Sequence, residues 1–419
     1  MILISKSIKN YQNRSQMTNA SIGETFDFNN IGQDFIKDPF PTCKALREYS
    51  PMHRNSDGSL FLTRYSDVLK VYRDPLMSSD KKIAFEKKFG KTPLYEHHTT
   101  SLVFNDPPYH TVVRKLLSSG FTPRKLAEME PLIIKIVNGL LDRLEDLSEF
   151  DLVKEYAMAL PTEIISFMLG VPTEYRHKLR QYSLNILGAL DPVVPQERLD
   201  DGNVSVEEFG EVLSQIINHR RSEQTPKSDG EILMSLIFGD VNGRRLTNTE
   251  LIQNCIFLLN AGHETTTSMV ANSMHMFFSA PDQLNLLKED PDLITSAIEE
   301  GLRYESPLQV GNRVTTGEVE IGGELLPAGT YIHTSIAGAN RDPAEFNKPE
   351  KVDITRKPNR HIAFAMGHHV CLGATLARME GRIAIGELVK RFPKIQQTGP
   401  AISMGLARFR GFNNIPVKT

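Results

Sequence analysis

The chain has 419 residues, a length that allows two or three average domains or one large enzyme core. Its composition is that of a soluble globular protein, with 40% hydrophobic residues, 24% charged residues and a formal net charge of −3. This near balance of charge argues against a nucleic-acid-binding protein, which would need a basic excess to neutralise phosphates.

The cysteine count and the N-terminal residues indicate the cellular compartment. Three cysteines, Cys43, Cys255 and Cys371, form an odd and sparse set that does not suit a disulfide framework and favours a reducing cytoplasm. Residues 1–25 have only a short apolar run before polar residues take over. We therefore expect a flexible N-terminal extension there, with no signal peptide and no membrane anchor.

The first predicted strands form a hairpin within residues 52–66, around the turn Asp57-Gly58. From about residue 67 the pattern becomes mostly helical, with apolar residues at helical spacing over 130–147 and a further helical stretch over 156–170. The region from Asp191 to Glu231 is rich in Pro, Asp, Gly and Gln and brackets a helical piece at 206–219. Such a segment is either a mobile lid or a plain surface connection, and the sequence leaves both open.

A long helix is predicted from Thr247 to about Ser279. It opens with a capping box of Thr247 and Glu250, and Pro281 marks its end. Its centre reads AGHETTT (261–267), where glycine and threonines are poor helix formers whose hydroxyls can bond back to carbonyls. Buried polar groups are costly, so this cluster favours a functional groove over a purely structural helix. A zinc-protease motif would need a second histidine at Thr267 and is discarded.

The last third of the chain combines strands and a helix. Residues 317–338 alternate around Gly322-Gly323 and Pro327-Ala328-Gly329, which are turn signals, and a helix follows at about 372–391. The predicted fold class is therefore mainly α with small segregated antiparallel β-sheets, an α+β arrangement.

The stretch AFAMGHHVCLG (363–373) surrounds Cys371 with histidines and glycines. A zinc site there lacks a second pair of ligands at the usual spacing, and a catalytic thiol would need a base that nothing singles out. An iron ligand needs only the one thiolate. The helix that begins after Cys371 is expected to lower the thiol pKa, and Gly367 and Gly373 would let the backbone approach a flat cofactor.

The pattern Phe364-x-x-Gly367-x-His369-x-Cys371-x-Gly373 resembles the haem-binding signature of the cytochromes P-450, with Ala365 standing where the family usually has glycine. Further motifs resemble family elements in the expected order: His110-x-x-x-Arg114, Ala261-Gly262-x-Glu264-Thr265-Thr266 and Glu300-x-x-Arg303. The resemblance extends from about residue 30 to 417. It implies a soluble bacterial type, with residues 1–419 as a single haem domain and the long central helix over the haem.

The resemblance implies haem b as cofactor and O2 as co-substrate. Cys371 would be the proximal thiolate, which in this family favours O–O cleavage. Glu264 and Thr265 would be catalytic, as an acid relaying protons and a hydroxyl orienting water or peroxide. Four side chains would hold the haem propionates: His110, Arg114, Arg313 and His369. Phe364, Gly373 and Ala261 would also contact the cofactor.

Glu300 and Arg303 would form a buried structural ion pair, with Lys351 or Arg356 as an undecided third partner. The expected substrate contacts are Phe257, Asn260, Gln309 and Phe409, with residues 80–105 and 191–206 as entrance loops. The polar members of that set suggest a ligand with hydrogen-bonding groups.

No flavin or nicotinamide domain fits in the remaining length, so electrons are expected from a separate ferredoxin or flavodoxin and its reductase. Arg378, Arg382 and Lys115 would form part of the docking patch. The implied protein is a cytoplasmic monomer that inserts one oxygen atom into a small organic substrate, without nucleic-acid or membrane partners. Oxidative phenol coupling, a peroxide-using enzyme, a haem sensor or carrier, and a zinc-binding interaction protein are the alternatives.

Overall fold

The structure, a computed structural model, describes residues 23–222 and 232–419. Most of the predicted N-terminal extension therefore lies outside the described residues, and residues 23–25 of it are helical. The α-helices of the described ranges are α1 (Gln33–Lys37), α2 (Phe40–Tyr49), α3 (Tyr65–Arg73), α4 (Lys82–Phe89), α5 (Pro93–Thr100), α6 (Tyr109–Ser118), α7 (Pro123–Leu144), α8 (Ala159–Leu169), α9 (Thr173–Gly188), α10 (Gln196–Ser222), α11 (Ile232–Phe238), α12 (Asn248–Ser279), α13 (Pro281–Glu289), α14 (Ile294–Tyr304), α15 (Ile336–Ala339) and α16 (Ala374–Arg391).

The strands are short and lie apart from the helical body. They are β1 (Met52–Arg54), β2 (Leu60–Leu62), β3 (Met77–Ser78), β4 (Glu149–Asp151), β5 (Val310–Thr315), β6 (Val319–Ile321), β7 (Glu324–Leu326), β8 (Tyr331–Ser335), β9 (Gln396–Gln397), β10 (Ile402–Ser403), β11 (Phe412–Asn414) and β12 (Pro416–Lys418). They form a five-stranded sheet in the order β1-β2-β8-β5-β3, a three-stranded sheet β4-β12-β9 and the pairs β6-β7 and β10-β11. The mainly α fold with small separate sheets confirms the predicted class.

One strand pairing differs from the antiparallel expectation. β2 runs parallel to β8, with Leu60 opposite Ile332. Parallel neighbours need a long crossover, and here the whole helical middle of the chain supplies it. The predicted hairpin is confirmed as β1 and β2, and Gly58 in its turn has a φ of 82°.

The segments predicted as entrance loops contain helices. Residues 80–105 hold α4 and α5, and α10 begins at Gln196 rather than near residue 206. The first half of α10 looks polar in sequence because it packs through small residues. A Cβ placed at Gly202 would lie 2.9 Å from the end of the Leu94 side chain, so a larger residue would have to displace that leucine.

Helix α12 is the centre of the fold. It packs against α5, α8, α9, α10, α14 and α16, and it remains helical across residues 261–267. The hydroxyls of Thr265 and Thr267 donate to the carbonyls of Ala261 and His263, at 2.5 and 3.0 Å, as the sequence predicted.

Among the described residues, no helix is both long and apolar enough to cross a membrane.

The capping box of α12 is formed in full. The Thr247 hydroxyl accepts from the Glu250 N–H at 3.2 Å, and the Glu250 carboxylate accepts from the Thr247 N–H at 2.9 Å. Thr247→Ala should therefore lower the free energy of unfolding by about 1 kcal/mol. Thr247→Ser keeps the hydroxyl and is the matched control. Urea denaturation measures both, and equal stability of the two variants would contradict a role for the cap.

Candidate active site

A cavity of about 1410 Å³ runs between the middle of α12 and residues 363–373, a segment here called the cysteine loop. Helix α12 contributes Asn260, Ala261 and Thr265 to one wall, and the cysteine loop contributes Phe364 and Cys371 to another. Further walls come from α4, α5, α8, β5 and the segment around Phe409. The two motifs singled out in the sequence, about a hundred residues apart along the chain, therefore meet at one space, here called the central cavity.

The cysteine loop is held by its own backbone. The Cys371 N–H donates to the Phe364 carbonyl at 2.9 Å, and two residues in between, Ala365 and Gly367, have positive φ values of 52° and 72°. A Cβ at Gly367 would lie 2.1 Å from the Tyr72 carbonyl oxygen, so only glycine fits there. Ala365 keeps the left-handed conformation that glycine would adopt with less strain, at a cost of about 1–2 kcal/mol.

The thiol of Cys371 is exposed to the cavity while lying deep within the molecule. Burial raises its pKa, whereas the Gly373 amide and the guanidinium groups of Arg114 and Arg378 act in the opposite direction. The Gly373 amide at the start of α16 thus lowers the pKa as predicted, but desolvation outweighs it and the pKa is raised overall. Among the described residues, no cluster of three or more His, Cys, Asp or Glu side chains is placed to hold a metal ion, so the zinc alternative lacks its ligands.

Positive and imidazole groups gather at one edge of the cavity. Arg114, Arg313 and His369 line it, and His110 lies behind His369 with the two rings 4.2 Å apart. Burial is the main cause that lowers the pKa of His110 to about 4 and that of His369 to about 2, and it lowers the pKa of both arginines. The four predicted propionate ligands are thus brought together, three on the wall and one behind it.

Asp106 acts electrostatically on His110 and Arg313, but it forms no ion pair with them in the described structure. Within the described ranges, neither Arg114 nor Arg313 is ion-paired with a carboxylate, and the buried His110 Nε2 has no hydrogen-bond partner. Arg313 donates to the Asn312 carbonyl at 2.7 Å and lies over the Tyr72 ring at 5.0 Å. Desolvated cations of this kind need an anionic partner. A dianionic group facing the thiol, such as a porphyrin with two propionates, fits the residues present.

The acid and the hydroxyl of the α12 motif take different positions. Thr265 lines the cavity, whereas Glu264 does not and is almost fully buried. Its Oε2 lies 3.7 Å from the Nε of Arg180 and 3.8 Å from the Nδ1 of His263, and neither carboxylate oxygen has a hydrogen bond. The Arg180 side chain is 20% exposed, so Glu264 lies between the cavity helix and a residue that reaches solvent.

Glu300 and Arg303 form the expected pair, with both side chains fully buried and nitrogen–oxygen distances of 2.7 and 2.8 Å. The third partner is Arg356, whose Nε donates to Glu300 Oε2 at 3.1 Å. Lys351 contributes only its backbone carbonyl, which accepts from both arginines. The pair also fixes the chain that leads to the cysteine loop, because Arg303 donates to the Pro349 carbonyl at 2.8 Å.

Three of the four predicted substrate contacts, Phe257, Asn260 and Phe409, line the cavity. Gln309 does not, and its assignment is corrected: its Nε2 donates to the Ser306 carbonyl at 2.5 Å. Its neighbours Leu308 and Val310 line the cavity instead. In an extended segment alternate side chains point to opposite faces, and Gln309 lies on the face away from the cavity.

The sequence interpretation missed several cavity residues. Tyr72, Lys81, Lys88, His97 and Glu380 all belong to the wall. Burial raises the pKa of Glu380 to about 8, and a hydrogen bond with Thr266 acts against that rise. A charged residue on the inner face of the 372–391 helix was a detectable signal. The two lysines gave none, because a lysine-rich run usually indicates a solvated surface.

Alanine substitutions at the two glycines of the cysteine loop should have different effects. Gly367→Ala adds a backbone clash to a left-handed φ, and the apoprotein and holoprotein should both lose about 2 kcal/mol or more of stability. Gly373→Ala meets no protein atom closer than 3.8 Å and should leave the apoprotein fold intact while reducing haem uptake, since the added methyl faces the cofactor space. Thermal denaturation and haem titration separate the two effects. Normal haem uptake by Gly373→Ala would remove this residue from the cofactor contacts.

Comparison with known proteins identifies the family of this chain. The family model described as Cytochrome P-450 matches residues 53–406. The vitamin D(3) 25-hydroxylase of Pseudonocardia autotrophica is 36% identical, over 91% of this chain and 94% of that protein. The nocardicin C N-oxygenase of Nocardia uniformis subsp. tsuyamanensis is 37% identical, over 88% and 92%. A crystal structure of a cytochrome P-450 in complex with acyl carrier protein ligated to hexadec-9Z-enoic acid aligns with a TM-score of 0.87 and 31% identity, over 93% of this chain and all of that one. The chain therefore belongs to the cytochrome P-450 family of haem-thiolate monooxygenases.

Proposed function

We propose that this enzyme inserts one oxygen atom from O2 into a small organic substrate bound in the central cavity, using haem b held by Cys371. The observation that carries the proposal is the juxtaposition in one cavity of the Cys371 thiol, the Thr265 hydroxyl and the unpaired cationic cluster. Haem iron and O2 are the family's cofactor and co-substrate. What we propose beyond these family properties is that the haem is haem b and that the substrate is a small organic molecule.

The residues present suit the cofactor. Arg114, Arg313 and His369 would bind the propionates from the cavity edge, and His110 would support His369 through their ring contact. Phe364, Gly373 and Ala261 would contact the macrocycle from opposite sides. When bound, the thiolate-ligated iron supplies dioxygen activation, with the thiolate favouring O–O cleavage.

The chain itself would move protons towards the cavity. The Thr265 hydroxyl donates to the Ala261 carbonyl, which leaves its oxygen lone pairs free to orient water at the cavity wall. Glu264 has two buried oxygens without hydrogen bonds and can exchange a proton when the Arg180 side chain moves towards solvent. A peroxide-using enzyme would not need this delivery of protons, so the pair favours the O2-dependent reaction.

Electrons would come from a separate acidic protein of the ferredoxin or flavodoxin type. Lys115 is exposed, and Arg382 is exposed while paired to Glu130 at 2.7 Å, so both are available to a docking partner. Arg378 is a weaker candidate, because it binds Glu299 at 2.6 and 2.9 Å and lies over the Phe364 ring. The proposed location is the cytoplasm, which the three unpaired cysteines support, and the proposed oligomeric state is a monomer.

Thr265→Ala tests the assigned chemistry. Without the hydroxyl, the enzyme should still consume electrons from its redox partner. The fraction of those electrons that ends in oxidised product should fall by about tenfold or more, and hydrogen peroxide should form instead. Thr267→Ala is the matched control, since its hydroxyl makes the same bond to a carbonyl one turn back but lies outside the cavity. A compound that shifts the haem spin state serves as substrate for the coupling assay. Unchanged coupling in Thr265→Ala would contradict the role of this hydroxyl.

A further inference from the structure

Three polar side chains form a chain of hydrogen bonds beside the central cavity. His97 on α5 has its Nδ1 3.0 Å from Gln253 Oε1 and its Nε2 3.3 Å from Asn260 Nδ2. Gln253 and Asn260 lie seven residues, or about two turns, apart on α12 and so share a face of that helix. All three side chains are buried, and His97 and Asn260 line the cavity.

The orientation of the Gln253 and Asn260 amides sets the donors and acceptors in this chain. An amide oxygen can only accept, so His97 must carry a proton on Nδ1 to donate to Gln253. Its Nε2 then has a lone pair, provided that the ring is neutral. Burial lowers the pKa of His97 to about 4, so the ring is neutral near pH 7. Nε2 therefore accepts from the Asn260 amide nitrogen, and the Asn260 amide is held in one orientation.

The remaining atom of Asn260 is left without a partner. Its Oδ1 is buried and accepts no hydrogen bond within the described part of the protein. Rotating the Asn260 amide alone to pair this oxygen would place an acceptor against the His97 lone pair and break the chain. A buried carbonyl oxygen without a donor is unfavourable. Because Asn260 lines the cavity, a small displacement of its neighbours would let a ligand there supply the missing donor.

We propose that Asn260 Oδ1 selects substrates that carry a hydroxyl or N–H donor, and that His97 and Gln253 are positioning residues that hold this acceptor in place. The inference rests on the proposed function, because it takes the central cavity as the substrate site. Apolar side chains make up much of the wall on the same side, namely Leu102, Phe104, Ile165, Phe257 and Leu258, and the lysines elsewhere in the wall disfavour a cationic ligand. The chemical class is therefore an apolar molecule with a neutral donor group.

The position of the acceptor also limits where oxidation occurs. Asn260 and Thr265 are five residues apart on α12, which is about 7.5 Å along the helix axis. A substrate anchored by its donor at Asn260 therefore presents to Thr265 a carbon that is several bonds from that donor. The product should carry its new oxygen at a position remote from the anchoring group.

A panel of matched ligand pairs tests the proposal, each pair consisting of an alcohol or phenol and its methyl ether, such as 4-phenylphenol and 4-methoxybiphenyl. Isothermal titration calorimetry on the holoenzyme gives the dissociation constants. We expect the hydroxyl member to bind about tenfold more tightly than its ether, and Asn260→Leu to abolish that preference. Phe257→Leu is the control that alters the same wall without the acceptor, and it should keep the ratio. A panel in which no alcohol binds more tightly than its ether overturns the proposal.

The positioning residues have their own readouts. Gln253→Leu and His97→Phe should each lose most of the preference. In the diamagnetic ferrous carbon monoxide form, nitrogen-15 spectra should show His97 neutral with its proton on Nδ1 from about pH 8 to about pH 5. A proton on Nε2 would reverse the orientation of Asn260 and overturn the assignment. The carbon monoxide spectrum of each variant reports on the haem-thiolate site separately. A failure of the proposed function is therefore distinguished from a failure of the Asn260 proposal.

Discussion

The site depends on one backbone constraint, the turn that lifts Cys371 into an enclosed cavity. A single hydrogen bond from the Cys371 N–H to the Phe364 carbonyl closes this turn, and two residues with positive φ complete it. Gly367 can pass the Tyr72 carbonyl only because it has no side chain, and Arg303 fixes the approach to the loop by binding the Pro349 carbonyl. The turn thus places a thiol where desolvation raises its pKa and where cationic groups and a bound iron would favour the thiolate.

Unsatisfied polar atoms surround this thiol on several sides. The His110 Nε2, the Asn260 Oδ1 and both oxygens of Glu264 are buried without hydrogen bonds. An unsatisfied buried group costs about 1–3 kcal/mol, so these three residues alone are a substantial burden on a marginally stable fold. Each has a different chemical complement: an anion for the imidazole cluster, a donor on the substrate for Asn260, and a proton in transit for Glu264. The apolar packing of α12 against the surrounding helices supplies the stability that tolerates them.

Local sequence signals were sufficient for the parts of the fold that local interactions decide. The capping box of α12, the hairpin around Gly58 and the cysteine loop were predictable because each is specified by a few adjacent residues. The orientation of Gln309 was not predictable, because the face on which a side chain of an extended segment lies depends on partners far along the chain. For the same reason the parallel β2–β8 pairing, the place of His110 behind His369 and the choice of Arg356 over Lys351 required the structure. The overall direction of the Cys371 pKa shift could not be predicted from the sequence either, because burial of the thiol outweighs the effect of the helix that follows.

The difference spectrum of the dithionite-reduced protein with and without carbon monoxide tests the central claim most directly, with Cys371→Ser as the paired control. If Cys371 ligates a haem in the central cavity, the native protein will show the strongly red-shifted Soret band of a thiolate-ligated haem, and the serine variant will lose it. A band at the shorter wavelength of a histidine- or thiol-ligated haem in the native protein, or no haem at all, would contradict the account.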